Sequence, residues 1–406
     1  MLIPFPEALE KVLSRIPPLG SEKVFVLEAL GRVIAEDIDA SRDIPPYDNS
    51  GMDGFAVKHS DIQRASRDCP IRLKVIGDLP AGSILTGMVE KGQAVRIMTG
   101  APIPKGVDTV VPVEETEEKD GIVSILKEMD LGEHIRKAGE DVEKGFRVFS
   151  VGDVIRPAGV GMLASLGRSS ISVYQKPLVA ILCTGNELVD VDGNLGEVKI
   201  VSSNSYSLAA QVKECGAIPV QLGIAKDRKD EIIERLRQGL RADVLISSAG
   251  VSTGDFDYVK NALSELGTEL VFWRVAMKPG KPVAFGTIQG RPVFGLPGNP
   301  VSSMVSFEQF VRPSLLKMMG HRRIFRPVIE AVLRQEIQKE PGSRHFIRGF
   351  VSRDGDPYTV APSRAQGSGI LRSMTEANGL IIVPEDRGIV RVGEKVSVQL
   401  LDDRFF

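Results

Sequence analysis

The sequence has few of the residues that mark several large classes of protein. Its three cysteines, Cys69, Cys183 and Cys215, are widely spaced over 406 residues and form neither a disulfide framework nor a C-x-x-C site. The four histidines show no metal-binding spacing, which disfavours a zinc enzyme. Cys183 ends a buried-looking apolar run, so we interpret it as a small core residue rather than a nucleophile.

An excess of one charge and long apolar runs are missing as well. The formal net charge is −2 at pH 7, and nucleic-acid binding usually needs a basic face, so we expect no nucleic-acid partner. No apolar run in the sequence approaches the length of a membrane span. The first residues include proline and glutamate where a signal peptide would be basic and then apolar. We therefore expect a cytoplasmic protein without a membrane partner.

The length predicts two to four domains, because 406 residues are too many for one hydrophobic core. Apolar spacing predicts helices at residues 6–15 and 22–30. Short β-branched runs between residues 71 and 135 predict a small all-β module. Residues 157–166 have the pattern of a short helix that ends at Gly167.

Strand and helix patterns alternate between residues 178 and 319. They predict strands at 178–183, 218–224, 243–247, 270–277, 283–285 and 292–295, and helices at 207–215, 228–240, 257–266 and 302–319, the last long and amphipathic. Such alternation is typical of right-handed βαβ units around a parallel sheet. From about residue 321, short strands with polar turns predict a small barrel or sandwich.

Polar, glycine-bearing or charged turns follow the predicted strands of this α/β region. They are Thr184-Gly-Asn-Glu187, Lys226-Asp227, residues 247–255, Lys278-Pro-Gly-Lys281 and Leu296-Pro-Gly-Asn-Pro300. The ligand-facing ends of strands in an open parallel sheet lie on one side, so we expect these turns to meet at one crevice. Two lysines, several carboxylates and many free N–H groups suit an anionic, phosphate-bearing ligand there.

Two of these turns have two open interpretations each. The turn containing Ser247, Gly250 and Ser252 could bind phosphate through backbone N–H groups, but a plain strand-to-helix connection with a helix cap explains it equally well. The turn Pro297-Gly298-Asn299-Pro300 places proline near the first turn of a helix. That structural role and exposure of helix-terminal N–H groups to the crevice are compatible with each other.

The lysine turn is more specific. In Lys278-Pro-Gly-Lys281-Pro282 the prolines fix the backbone and glycine permits close approach, so both ammonium groups are held near one loop. We favour an oxyanion between the two lysines over a solvated turn, since an apolar strand precedes the loop and another follows it.

Three carboxylates, Glu187, Asp227 and Asp257, lie at predicted strand ends. Hard oxygen ligands beside phosphate groups indicate Mg²⁺ shared with substrate, although helix capping or a surface charge would explain each residue taken alone. The sequence shows no assembled Ser–His–Asp or Cys–His arrangement, so covalent catalysis is not predicted.

Several motifs together resemble the molybdopterin molybdenumtransferase family, which includes the E domain of gephyrin. They are residues 48–57, 96–102, 184–188, 247–258, 278–282, 295–302 and 366–368, which run through nearly the whole chain. The sequence departs modestly from the family pattern, with Phe55 in place of the usual tyrosine and Asn186 where aspartate is common. Ala249 and Thr253 also alter the serine- and glycine-rich turn.

The resemblance implies an elongated subunit of four parts. These are a helical hinge region (1–45 plus 140–173), an inserted β domain (46–139), a doubly wound α/β molybdopterin-binding domain (174–320) and a C-terminal small β-barrel (321–406). It also implies a homodimer in which Asp53 and Thr99 reach the partner's crevice. Further implied partners are the molybdopterin adenylyltransferase and cofactor-accepting molybdoenzymes.

The implied reaction joins molybdate to adenylylated molybdopterin with Mg²⁺-dependent release of AMP, the last step of molybdenum cofactor synthesis. By resemblance, the acidic residues near metal and nucleotide are Glu187, Asp227 and Asp257, and the molybdate and pterin-phosphate ligands include Lys278, Lys281, Ser302, Arg348 and Ser368. Two alternatives remain: the related adenylyltransferase, which shares the α/β domain but normally stands alone, and a scaffold that holds the pterin without turnover.

Overall fold

Three large β-sheets organise the chain in a computed structural model that describes residues 2–249, 258–353 and 357–402. Two sheets have six strands and the third has seven. The chain also forms two-stranded ribbons. They pair Ser21–Phe25 with Ser170–Tyr174, Ile38–Asp39 with Arg147–Phe149, Asn49–Ser50 with Ile135–Arg136, Leu188–Val189 with Ile200–Val201, and Ile337–Gln338 with Ile389–Val390.

Helices connect and cover the sheets. In chain order they are α1 (Phe5–Leu13), α2 (His59–Ile62), α3 (Pro157–Ser165), α4 (Ser203–Glu214), α5 (Lys229–Gly239), α6 (Tyr258–Glu265), α7 (Pro300–Ser306), α8 (Arg312–Met318) and α9 (Arg372–Glu376). A π-helical stretch, Phe307–Val311, joins α7 to α8, and a 3-10 helix covers Val113–Glu115. Within the described ranges, no helix is long and apolar enough to cross a lipid bilayer.

The first six-stranded sheet comes from the segment predicted to be all-β, and that prediction is confirmed. Its strands in sheet order are Thr109–Pro112, Gly54–Val57, Gln93–Ile97, Ile71–Leu79, Ile122–Ile125 and Thr116–Lys119. Neighbouring strands are antiparallel except for the two in the middle, which run parallel. The predicted helices at 6–15 and 157–166 are also confirmed, by α1 and α3.

The second six-stranded sheet carries the α/β region. Its strands in sheet order are Ile218–Ala225, Leu178–Thr184, Val244–Ser248, Arg291–Leu296, Ala284–Ile288 and Glu269–Phe272. The first four are parallel and the last two add an antiparallel edge. Apolar clusters lie on both faces, one formed with α1, α4 and α7 and the other with α5 and α6. The parallel strands therefore end at one edge, as the alternating pattern predicts.

The third sheet lies mainly in the C-terminal part of the chain. Its strands in sheet order are Ile3–Pro4, Val275–Lys278, Arg344–Ser352, Thr359–Pro362, Val328–Leu333, Lys395–Leu400 and Gly379–Val383. The long strand Arg344–Ser352 also pairs with Gly379–Val383. This pairing closes the last five strands into a barrel around a buried apolar core, so the prediction of a small barrel is confirmed.

The helix predicted at residues 22–30 is wrong. Ser21–Phe25 is a strand that pairs with Ser170–Tyr174. Val24 and Val26 reach the apolar cluster beneath this ribbon, while the residue between them is exposed. Cross-strand pairing and the inward–outward alternation of a strand override the local helical spacing here.

The single strand predicted at residues 270–277 is also wrong. Glu269–Phe272 lies at the edge of the α/β sheet, whereas Val275–Lys278 belongs to the seven-stranded sheet. Two residues, Trp273 and Arg274, separate these strands. The sequence pattern indicates that both segments are extended, but the strands with which they pair determine which sheet each segment joins.

The long helix predicted at residues 302–319 is present as α7, the π-helical stretch and α8, but it is not amphipathic. Nearly every residue from Val301 to Met319 is buried, including Glu308 and Gln309. Its outer side is covered by α1, where the Phe5 and Phe310 rings lie 5.5 Å apart. This helix therefore lies at the centre of the α/β core rather than on its surface.

Candidate functional site

A cavity of about 400 Å³ opens at the edge of the α/β sheet where the parallel strands end. Six of the residues predicted for the site line it: Glu187, Pro282, Pro297, Gly298, Asn299 and Pro300. Leu188 and Ile200, from the ribbon that follows the first strand of this region, form an apolar part of the wall. Residues from separate turns therefore lie together at one crevice, as the sequence predicts for them.

In the described part of the chain, two helices begin at the cavity. Helix α4 starts after Ser202 and α7 starts after Asn299, and neither residue caps its helix with a side-chain hydrogen bond. Both residues line the cavity. The first N–H groups of a helix have no partner within that helix and carry the positive end of its dipole. At the start of α4 this wall of the cavity is therefore suited to an anionic group. At the start of α7 most donors are already used, because Pro300 has no N–H and the Val301 N–H donates to the Ser368 carbonyl.

Asn204 ties the two helix starts together, and sequence reasoning missed it. Its Nδ2 donates hydrogen bonds to Ser248 Oγ and to the Gly298 carbonyl, both at 2.8 Å. The residue also lines the cavity. The helix predicted from the sequence begins at residue 207, so the pattern places Asn204 outside it. A polar residue in the first turn of the helix was the signal that could have found it.

Hydroxyl groups form part of the cavity wall. Ser248 belongs to the predicted turn at residues 247–255, whereas Ser202 and Ser203, which also line the cavity, lie outside the predicted turns. Ser205 donates a hydrogen bond to Cys183 Sγ at 3.2 Å, and burial raises the pKa of this thiol. A thiol held protonated is a poor nucleophile, which agrees with Cys183 being a core residue.

The turn at residues 247–255 is only partly described. Ser247 is completely buried next to the cavity-lining Ser248, and its hydroxyl has no hydrogen-bond partner among the described residues. Ala249 lines the cavity with a positive φ of 78°. Gly250, Ser252 and Asp257 lie outside the described residues.

The acidic residues of the first two turns are linked through Asn186. Its backbone N–H donates to Asp227 Oδ2 at 3.2 Å, and the Asp227 N–H donates to Asn186 Oδ1 at 3.2 Å. Lys199 Nζ also donates to the Asn186 carbonyl. Glu187 follows directly and lines the cavity. In the described part of the chain, no three His, Cys, Asp or Glu side chains form a metal-binding group.

The lysine turn reaches the site from a different sheet than expected. Lys278 ends a strand of the seven-stranded sheet, and the backbone N–H of Val275 donates to the Lys281 carbonyl at 3.0 Å. Both lysines are exposed, and Pro282 lines the cavity. The expectation that all five turns end strands of one parallel sheet is therefore wrong for this turn. The residue that follows the turn still lines the crevice.

The barrel contacts the start of α7. Asn299 Nδ2 donates to Ser368 Oγ at 3.0 Å, and the Val301 N–H donates to the Ser368 carbonyl at 3.0 Å. Ser302, predicted as a ligand, is buried in the same helix turn. Ser368 therefore lies at the site, brought there by the C-terminal part of the chain.

Arg348 supports this contact from inside the barrel. Its side chain is only 2% exposed, with Nε donating to Ser373 Oγ and Nη2 donating to the Gly367 carbonyl, each at 3.3 Å. Burial lowers the pKa of this guanidinium. In the described structure Arg348 holds the segment that carries Ser368, and it does not line the cavity.

Asp53 and Thr99 lie together on the inserted sheet. Asp53 Oδ1 accepts hydrogen bonds from the Thr99 N–H and hydroxyl, both at 2.7 Å, and these bonds lower the pKa of the Asp53 carboxyl. Both residues are exposed, and neither lines the cavity of its own chain. The structure thus pairs them but does not bring them to the α/β crevice of the same subunit.

Three family models match successive parts of the chain. The model for the MoeA N-terminal region (domain I and II) matches residues 3–167. One for a probable molybdopterin binding domain matches residues 180–317, which contain the cavity. One for the MoeA C-terminal region (domain IV) matches residues 330–401.

Full-length relatives agree with these matches. The chain is 34% identical to a molybdopterin molybdenumtransferase of Staphylococcus aureus (strain COL), over 98% of this chain and 96% of the relative. It is 35% identical to the protein of the same name in Bacillus subtilis (strain 168), over 98% and 94% of the two chains. A crystal structure of a molybdopterin biosynthesis moeA protein from Pyrococcus horikoshii superposes with a TM-score of 0.84 at 32% identity, covering 98% of this chain and 100% of that one.

Proposed function

The chain belongs to the molybdopterin molybdenumtransferase family of molybdenum cofactor biosynthesis, and from that premise we propose that it joins molybdate to adenylylated molybdopterin with Mg²⁺-dependent release of AMP. One observation carries the proposal. The cavity at the strand ends is lined by residues at the starts of α4 and α7 and by Pro282, which directly follows the Lys278–Lys281 turn. An anionic pterin phosphate and an oxyanion can thus be held in one continuous site.

Molybdate is a tetrahedral dianion, and in this proposal it is held by the lysine turn. Ammonium groups and hydroxyl donors can replace the water around such an anion through charge-assisted hydrogen bonds. Lys278, Lys281 and Ser368 supply them, and Ser302 lies buried beneath. The protein then contributes mainly positioning and charge neutralisation while the phosphoanhydride is cleaved and molybdenum joins the dithiolene.

Glu187 and Asp227 are the residues that would hold Mg²⁺. This ion usually takes one or two carboxylates together with substrate phosphates and water, so two carboxylates on adjacent turns suit it. Asn186 keeps Asp227 beside the turn that carries Glu187, as their reciprocal hydrogen bonds indicate. When bound, the ion would neutralise charge on the phosphoanhydride oxygens.

We further propose that the protein acts as a homodimer in which Asp53 and Thr99 serve the partner's cavity. Their exposure and their absence from the cavity of their own chain support this. Asp53→Ala and Asp227→Ala chains should each be inactive alone, and their mixture should regain activity. In each mixed dimer, one of the two sites would then combine an intact Asp227 with an intact Asp53 from the other chain. If Asp53 acts within its own chain, mixing restores nothing.

The decisive experiment measures AMP release from purified adenylylated molybdopterin with and without molybdate. We expect molybdate-dependent release by the wild type, whereas Asp227→Ala should keep pterin affinity and lose release. Equal release by both proteins would refute the role of Asp227. Efficient adenylylation of molybdopterin by ATP without molybdate would identify an adenylyltransferase, and pterin binding without any release would identify a scaffold.

A further inference from the structure

Gly280, between the two lysines of the oxyanion turn, packs directly on helix α7. Its φ is +104°, and a Cβ placed on it would lie 2.5 Å from Ser306 Oγ and 3.1 Å from Met277 Cε. A side chain is therefore excluded here both by backbone conformation and by contact with the helix. The turn sits on α7 through a backbone-to-hydroxyl contact that only glycine permits.

The Ser306 side chain is unusual for its surroundings. It is 0% exposed, and its hydroxyl has no hydrogen-bond partner among the residues that the structure describes. A buried hydroxyl without a partner opposes folding, so its place under the turn is not explained by stability. It lies four residues after Ser302 on the same helix, so both hydroxyls are on one helix face.

Two other contacts fix the ends of the turn. Lys278 pairs with His345 across two parallel strands, and the Val275 N–H closes the turn on the Lys281 carbonyl at 3.0 Å. With both ends held, the middle of the turn is placed by what lies beneath Gly280. The nearest atom there is Ser306 Oγ, with the end of the Met277 side chain beside it.

We propose that Ser306 is a positioning residue for oxyanion binding: through its contact with Gly280 it sets the placement of Lys278 and Lys281 relative to the cavity. Helix α7 begins at the cavity wall, and Ser306 lies about 9 Å further along its axis. One rigid helix therefore carries both the pterin-facing wall and the support of the lysine turn. This inference rests on the proposed function, because it takes the lysine turn as the molybdate site.

The contact is tested by a double-mutant cycle on molybdate affinity, measured by calorimetry with the full-length protein. Gly280→Ala should weaken molybdate binding at least tenfold, and Ser306→Ala about two- to fivefold. The double variant should bind molybdate more tightly than Gly280→Ala alone, because removal of Oγ relieves the clash. Affinity for molybdopterin should change less than threefold in all three variants.

Gly290→Ala provides the matched control for backbone strain. Gly290 also has a positive φ, +77°, but nothing lies within 4 Å of a Cβ placed there. This variant should bind molybdate as the wild type does. The inference would be overturned if the two single-variant losses of molybdate affinity simply multiply in the double variant. It would also be overturned if molybdopterin affinity falls as much as molybdate affinity. Wild-type molybdate binding by Gly280→Ala would overturn it as well.

Lys281→Ala separates this inference from the proposed function. If Lys281→Ala binds molybdate as tightly as the wild type, the lysine turn is not the oxyanion site and the proposed function loses that site. Lys281→Ala could instead lose most of its molybdate affinity while the Gly280 and Ser306 substitutions have independent effects on that affinity. In that case the oxyanion site is supported and only the role of Ser306 is wrong.

Discussion

Asn186 and Asp227 bind each other through a reciprocal pair of hydrogen bonds, each backbone N–H donating to the other's side-chain oxygen at 3.2 Å. The two residues are 41 positions apart and follow neighbouring strands of the α/β sheet. The pair fixes the carboxylate of Asp227 against the turn that presents Glu187. An uncharged residue at position 186 therefore acts here as the support of a charged one.

Weakening this support should reduce turnover more than stability. Asn186→Ala keeps the backbone N–H that donates to the Asp227 carboxylate and removes only the side-chain acceptor of the Asp227 N–H. In Asn186→Ala the Asp227 N–H loses its acceptor, which should lower the free energy of unfolding by about 1 kcal/mol. We expect molybdate-dependent AMP release to fall roughly five- to twentyfold, as for a misplaced catalytic group. Asn186→Asp keeps an acceptor and should recover the lost stability. Unchanged AMP release by Asn186→Ala would contradict this role.

Replacing Arg348 should mainly lower the stability of the barrel. Replacing its buried, hydrogen-bonded side chain by alanine should cost about 2–5 kcal/mol of unfolding free energy, measured by urea denaturation. Arg348→Lys keeps the charge but cannot reach both Ser373 and Gly367 with a planar fork, so it should lie in between. Ser373→Ala is the control for one of the two bonds, at about 1 kcal/mol. Wild-type stability of Arg348→Lys would contradict a structural role for the fork.

His345 should make the protein sensitive to mild acid. Burial, followed by the charges of Lys339 and Lys278, lowers the pKa of this imidazole to about 4, and the side chain is 9% exposed. In the unfolded chain an ordinary histidine titrates near 6.5, so the unfolded state binds more protons between these values. Stability from the neutral His345 is thus complete above about pH 6.5 and is lost as pH falls toward 4.

The loss should amount to about 3 kcal/mol at most, as the change in unfolding free energy between pH 7 and pH 4. His345→Gln keeps a polar side chain beside Ser343 but does not titrate, so its pH dependence should be flatter by that amount. His134→Gln, a change in a half-buried histidine on the inserted domain, is the control. Parallel pH curves for the wild type and His345→Gln would show that His345 does not titrate as expected.

The three cysteines should differ sharply in reactivity. Cys69 is exposed, whereas burial raises the pKa of Cys183 and raises that of Cys215 to about 12. Because the thiolate is the reactive form, iodoacetamide at pH 8 should label Cys69 and spare the other two until the protein is unfolded. Mass spectrometry gives the labelled positions, and Cys69→Ser should leave the folded protein unlabelled. Labelling of Cys183 in the folded state would contradict its assignment to the core.

Much of the local structure could be read from the residues. The alternation of strand and helix after Leu178, the five turns and the lysine pair follow from side-chain period, turn chemistry and charge, which are properties of neighbouring residues. Asn204 was missed because its role depends on Ser248 and Gly298, which are 44 and 94 positions away. The strand at Ser21–Phe25 was missed because its partner lies far along the chain.

Short-range periodicity and the chemistry that each residue carries are enough to predict most of the helices and strands, the turns and the residue types of an anion site. The exceptions are the helix predicted at 22–30 and the single strand predicted at 270–277. Long-range contacts set which sheet each strand joins and which side chains remain exposed at the site. They bring the Lys278 turn to the cavity from the barrel sheet, hold Arg348 inside the barrel and set Gly280 on Ser306. Those outcomes depend on long-range pairing and close packing, which no local pattern of residues encodes.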